Sequence, residues 1–217
     1  MKPSVVVVGT GPGVGGATAR RFATAGHRVA LIARDQVKLD ALAGEIDGAI
    51  GVSADVGNAA ELAAAFDRIR AEQGDPGVLV YNAVGFVAGP PSQLDPDALA
   101  GALEVSVIGA LRCVQQVLPA MRAAGAGTLL LTGGGLALEP WPSYSTVAMG
   151  KAAQRSLFGS LAKELKPEGI HAAQLTVVGF VKPDTFFAPE RIADAHYALY
   201  AQTPEEWESE ATYRESA

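Results

Sequence analysis

Short β-branched runs alternate with helical patterns along the whole chain, and this alternation limits the fold more than any other feature. Ser4–Val8 reads as a buried strand, closed by Gly9. Further strands are expected at 28–33, 49–53, 78–81, 128–132 and 170–178, with a short one at 210–214. Helices are expected at 13–25, 37–46, 59–72, 95–124, 145–165 and 189–202. Asp95-Pro96 starts the longest, because proline suits the first helical position. Pro119 is expected to kink it near its end. Strands separated by helices pair in parallel, with helices on both faces. No linker or fixed-period repeat divides the 217 residues. The expected architecture is a single domain: a doubly wound α/β sheet of Rossmann type, in three αβα layers.

Charge and cysteine usage exclude several function classes. The net charge is −6, but residues 204–217 hold five glutamates and one arginine, which is −4 of it. The remaining body is near neutral and has no basic stripe for nucleic acid. Cys113 is the one cysteine, so neither an internal disulfide framework nor a multi-cysteine metal site is available. It is expected to be packed in a helix. His27, His171 and His196 lack ligand spacing. No apolar run approaches the ~18 residues of a membrane span. The residues from Met1 to Val8 lead into glycines rather than a cleavage site, so a cytoplasmic protein is expected.

The first strand and helix are joined by Gly9-Thr10-Gly11-Pro12-Gly13-Val14-Gly15-Gly16. Gly11, Gly13 and Gly16 fit one dinucleotide spacing; Gly9, Gly13 and Gly15 fit another. The second is preferred, because the chain must turn directly after Val8. Glycines let the backbone approach a pyrophosphate, which the helix N-terminus then stabilises. Gly9, Gly11, Gly13, Val14 and Gly15 are therefore the expected cofactor contacts here. No Lys-Ser/Thr pair follows, so a mononucleotide P-loop is excluded. The second strand runs into Ala33-Arg34-Asp35. An acid at its end would hold a ribose 2′-hydroxyl, whereas an arginine suits a 2′-phosphate. Ala33 followed by Arg34 favours NADP(H) over NAD(H), although a one-residue shift would put Asp35 there instead.

These features, with Asp55-Val56, Tyr81-Asn82-Ala83-Val84, Lys151-Ala152-Ala153 and Leu161-Ala162-Lys163-Glu164-Leu165, resemble the short-chain dehydrogenase/reductase family over nearly the whole chain. The resemblance implies a nicotinamide-dependent oxidoreductase acting on a small carbonyl or alcohol. It places Asp55 and Val56 beside the adenine, Asn82 and Ala83 on the adenosine side, Lys151 at the nicotinamide ribose, and Gly179 where the family has Pro-Gly. Asp55 could instead cap the following helix. It also implies a homodimer or homotetramer through the two long helices.

The resemblance stops at the proton-transfer set. The family spaces tyrosine and lysine as Y-x-x-x-K, but Val147 stands four residues before Lys151. The family's serine falls within Gly133-Gly134-Gly135 and its asparagine at Ser106. Tyr144 is the substitute donor expected here, paired with Lys151. A dinucleotide-binding sensor or subunit without turnover is the alternative, and an assembly partner without cofactor a third. Trp141 is expected to anchor a loop or line a substrate pocket, and Trp207 to pack the C-terminal segment. Nine residues separate Gly179 from Pro189, a short lid.

Overall fold

A computed structural model describes residues 2–215. Its single sheet has seven parallel strands. They are β1 (Ser4–Val8), β2 (Val29–Ala33), β3 (Ile50–Ser53), β4 (Pro76–Tyr81), β5 (Gly127–Gly134), β6 (Ile170–Val177) and β7 (Glu210–Tyr213). Their spatial order is β3-β2-β1-β4-β5-β6-β7. The winding reverses between β1 and β4, which opens a crevice at the C-terminal ends of those strands.

Helices α1 (Val14–Thr24), α2 (Gln36–Gly44) and α7 (Pro189–Tyr200) cover one face. The other is covered by α3 (Ala59–Gln73), α5 (Gly109–Ala124) and α6 (Ser145–Leu165), with α4 (Pro96–Leu103) leading into α5. Strand alternation explains the two cores. Val6 and Val8 join the α3–α5–α6 core, while Val5 and Val7 join the α1–α2–α7 core. All four valines are completely buried. Each such side chain contributes roughly 1.5–3 kcal/mol, so β1 can be neither an edge nor a surface strand.

The expected helix over 95–124 is interrupted. Residues Glu104–Ile108 form a π turn between α4 and α5. Side chains from elsewhere hold it: the Tyr81 hydroxyl donates to the Val105 carbonyl at 2.5 Å, and the Gln154 amide to the Ser106 carbonyl at 2.6 Å. Those bonds satisfy carbonyls that the wider turn removes from the regular ladder. Helix α5 runs through Pro119 to Ala124. Asn58 caps α3 by accepting from the Ala60 and Glu61 amides, which corrects the expectation that Asp55 might do so. Trp207 packs the C-terminal segment by stacking on His171, with ring centroids 4.9 Å apart. Cys113 is buried, and burial pushes its thiol pKa up.

Candidate active site

The glycine loop is built by close contacts that the spacing alone does not distinguish. Gly9 has φ +84°, and a Cβ there would lie 2.4 Å from the Ala83 nitrogen. A Cβ on Gly15 would meet the Gly9 carbonyl oxygen at 2.6 Å, and one on Gly16 the Gly11 carbonyl oxygen at 2.3 Å. Gly9, Gly15 and Gly16 are therefore required by the protein itself. Gly11 and Gly13 differ, because a Cβ on either would meet nothing within 4 Å. They leave open space above the start of α1, where no side chain caps the helix and no acid stands in the first turn. Such a terminus presents free N–H groups and a partial positive charge to an anion. The preferred spacing missed Gly16; the rejected one contained it.

From this loop a cleft of 570 Å³ runs along the ends of β1, β2 and β4. Gly9, Thr10, Arg34, Asp55, Val56 and Asn82 are among its lining residues, and Ala83 and Phe86 continue it. A neighbouring hollow of 450 Å³ shares Thr10 and Arg34 and adds Lys38 and Arg20. Thr10 was not singled out by sequence; its hydroxyl donates to the Ile32 carbonyl at 3.2 Å.

Arg34 and Asp35 both border the neighbouring hollow but differ in their partners. Asp35 is the N-cap of α2, accepts the Lys38 amide at 3.2 Å and pairs with the Lys38 ammonium at 3.0 Å. Those contacts hold its carboxyl below the ordinary aspartate range. Arg34 makes no hydrogen bond or ion pair through its side chain among the described residues and borders both hollows. Asp55 accepts the Gly57 amide at 2.9 Å through one carboxylate oxygen. The Asn82 amide donates to the Gly9 carbonyl at 2.8 Å and ties the β4 loop to the glycine loop.

The lysine end is built differently. Lys151 is buried on α6 and donates to the Thr132 carbonyl at 2.5 Å. Burial pushes its pKa down to about 8. Its stem lies over Gly134, where a Cβ would stand 3.7 Å from the Lys151 Cγ. On the far side of β5, the Thr132 hydroxyl lies 3.3 Å from His196 Nε2. His196 is buried, which pushes its pKa down to about 4.

Tyr144 is the N-cap residue of α6, not a member of its first turn. Its ring stacks on Phe86 with centroids 5.8 Å apart, and Trp141, three residues earlier, packs against Phe180 at 5.6 Å. Tyr144 precedes Lys151 by seven residues and has non-helical dihedrals, φ −122° and ψ 28°, so helical periodicity does not put it on the Lys151 face. Ser106 is buried on the π turn, and its hydroxyl oxygen accepts the Gly85 amide at 2.9 Å. Gly179 is fixed by packing: a Cβ there would enter the Phe187 ring at 2.2 Å. The segment between Gly179 and Pro189 is anchored to β7 by Phe186, which stacks on Tyr213 at 4.8 Å.

A family model described as short chain dehydrogenase matches residues 3–190. The chain belongs to the short-chain dehydrogenase family.

Three similar proteins illustrate the range of likeness. An oxidoreductase of Sarocladium schorii, asL5, is 28% identical over 200 residues, which is 92% of this chain and 79% of the relative. Human 17-beta-hydroxysteroid dehydrogenase type 1 is 38% identical over 117 residues, covering 54% of this chain and 35% of that one. The very-long-chain 3-oxoacyl-CoA reductase of Anas platyrhynchos is 32% identical over 176 residues, covering 76% of this chain and 55% of that one. The chain thus spans little more than half the length of the latter relative and about a third of the human one. A crystal structure of a metagenomic short-chain oxidoreductase in complex with NADP superposes with a TM-score of 0.88. The two are 28% identical and cover 99% of this chain and 98% of that one. Among the described residues, no helix is long and apolar enough to cross a membrane.

Proposed function

We propose that this short-chain dehydrogenase uses NADP(H) to interconvert a small carbonyl compound and its alcohol. One observation carries the reading: Arg34, with no partner among the described residues, borders two hollows that take in Gly9, Thr10 and Gly11 of the glycine loop, which leads into an uncapped helix N-terminus. Gly9, Gly11, Gly13, Val14 and Gly15 would hold the pyrophosphate through the loop backbone and the α1 terminus. Arg34 would take the 2′-phosphate, with bidentate geometry that lysine cannot match. Asp55 and Val56 would border the adenine, Asn82 and Ala83 the adenosine side, and Lys151 and Gly179 the nicotinamide ribose.

When bound, NADP(H) supplies or accepts the hydride. The chain's own residues must manage the proton. Tyr144 stands at the start of α6, partly exposed, and its phenol would donate to the carbonyl oxygen during reduction. Lys151, whose ammonium now donates to the Thr132 carbonyl, would act with Tyr144 through the nicotinamide ribose rather than by direct contact. Association into a homodimer or homotetramer through α5 and α6 belongs to the same reading, and sedimentation measures it.

A second reading is a dinucleotide-binding protein without turnover. It is supported by the Lys151 ammonium being spent on the Thr132 carbonyl, with Gly134 and Val147 beside it. Fluorescence titration with NADPH and NADH separates the two, followed by carbonyl and alcohol panels read by nicotinamide absorbance. Tighter binding of NADPH with measurable turnover is expected. Binding with no turnover across both panels would favour the second reading, and no binding of either nucleotide would remove both.

A further inference from the structure

Large apolar side chains are normally exposed singly and scattered over a protein surface. Here they are concentrated. Among the described residues, eight of the eleven exposed large apolar side chains lie on three loops, those following β4, β5 and β6. Four are aromatic: Phe180 is 65% exposed, Phe86 55%, Trp141 47% and Tyr144 37%. They are not independent. Tyr144 and Trp141 sit at the two ends of one turn, closed by the Tyr144 amide donating to the Trp141 carbonyl at 3.0 Å. One end stacks on Phe86 of the β4 loop and the other packs on Phe180 of the β6 loop. The turn therefore links the β4 and β6 loops, with an aromatic pair at each.

The charge on these loops is low. Residues 82–90 contain no charged side chain, residues 133–144 contain only Glu139, and residues 178–188 contain Lys182 and Asp184, both beyond Phe180 and Val181. Phe86 also lines the nucleotide cleft, so the apolar rim continues directly from it. A site of this kind disfavours a carboxylate or phosphate, because it would desolvate the charge without pairing it. It favours flat rings, which stack on aromatic faces at 4.5–7 Å.

We propose that the substrate is a neutral, flat aromatic or fused-ring ketone and its alcohol, gripped by the Phe86–Tyr144 and Trp141–Phe180 pairs. This rests on the oxidoreductase reading above and names its substrate class. Trp141 makes the site observable. Its indole belongs to one of the pairs, whereas the chain's other tryptophan, Trp207, stacks on His171 elsewhere.

The test is quenching of tryptophan fluorescence by 2-acetonaphthone, with and without NADP+, in the full chain and in Phe86→Ala and Phe180→Ala. Both substituted residues are exposed, so neither variant removes core packing. Saturable quenching is expected, with affinity at least fivefold weaker in each variant and NADPH affinity unchanged in Phe180→Ala, which lies outside the nucleotide cleft. A ketone of similar size bearing a carboxylate, 6-acetyl-2-naphthoic acid, is expected to bind at least tenfold more weakly than 2-acetonaphthone. Equal affinity across wild type and both variants, or tighter binding of the acid, overturns the proposal. So does a change of oligomeric state in Phe180→Ala with unaltered quenching, which would make the rim a contact between copies. NADPH binding without any probe binding defeats the substrate class alone. Probe binding without NADPH binding defeats the oxidoreductase reading while leaving the aromatic site standing.

Discussion

The nucleotide half and the reaction half of this cleft are built on opposite rules. In the nucleotide half, most of the groups are fixed by contacts within the protein. Gly9, Gly15 and Gly16 are pressed against backbone, Asn82 ties two loops, and Asp35 caps a helix, which leaves Arg34 free. In the reaction half, small and apolar residues stand where proton-transfer groups would be expected. Gly134 has room for a side chain, Val147 is half-buried one turn before Lys151, and the lysine ammonium turns to a backbone carbonyl. Under the proposed function, Lys151 is the one residue that serves both halves.

The contrast can be broken most forcefully by restoring the missing groups. Gly134→Ser with Val147→Tyr is expected to raise turnover on aromatic ketones by roughly 10²–10⁴, the range of a positioned acid. The space permits serine at Gly134, whereas Gly133 faces the Gln174 side chain at 2.7 Å. Unchanged turnover with intact NADPH binding would show that proton transfer does not limit the wild type.

The buried lysine provides the next largest effect. Its folded pKa of about 8 lies below its ordinary 10.5, so burying the charge costs about 3 kcal/mol at neutral pH. Between pH 8 and 10.5 the unfolded chain holds a proton that the folded chain has released, so this contribution to stability rises with pH. Lys151→Met is therefore expected to be at least as stable as wild type at pH 7, and to lose that advantage by pH 10. Denaturant melts of both proteins at the two pH values measure it. A constant difference between them would contradict the buried-charge reading.

Arg34→Ala should weaken NADPH about tenfold or more, as expected for a charge-assisted hydrogen bond, and leave NADH almost unchanged. Equal losses for both nucleotides would move the 2′-phosphate elsewhere. Tyr144→Phe is the mildest, with turnover down about tenfold at unchanged NADPH affinity. Turnover equal to wild type would leave Tyr144 as a stacking partner of Phe86 alone.

How much of this was legible in the sequence depends on the range of the causes. Buried parallel strands announce themselves as β-branched runs, so Ser4–Val8 is found with its observed ends. The π turn at Glu104–Ile108 has no local signature, because its partners are Tyr81 and Gln154, far away in the chain. Asp55 and Asn58 are both capping residue types three positions apart, and only the fold chooses between them. Arg34 was favoured by its place after Ala33, but the role of Asp35 became plain only with the start of α2. The absence of the family tyrosine was readable from the spacing before Lys151. The direction of the lysine amine was not, since it depends on the Thr132 carbonyl and the clearance over Gly134.

The bond from Asn82 to the Gly9 carbonyl has a consequence for the order in which the molecule assembles. It spans 73 positions, and Ala83 closes the other side of Gly9. The glycine turn lies within the first 16 residues, yet its finished shape needs a strand that is made much later. During synthesis the nucleotide cradle stays incomplete until β4 and its loop have emerged and docked beside β1. Closing so long a loop delays the contact without much weakening it. Nucleotide affinity should therefore switch on abruptly with chain length, making it a timer for the arrival of the fourth strand.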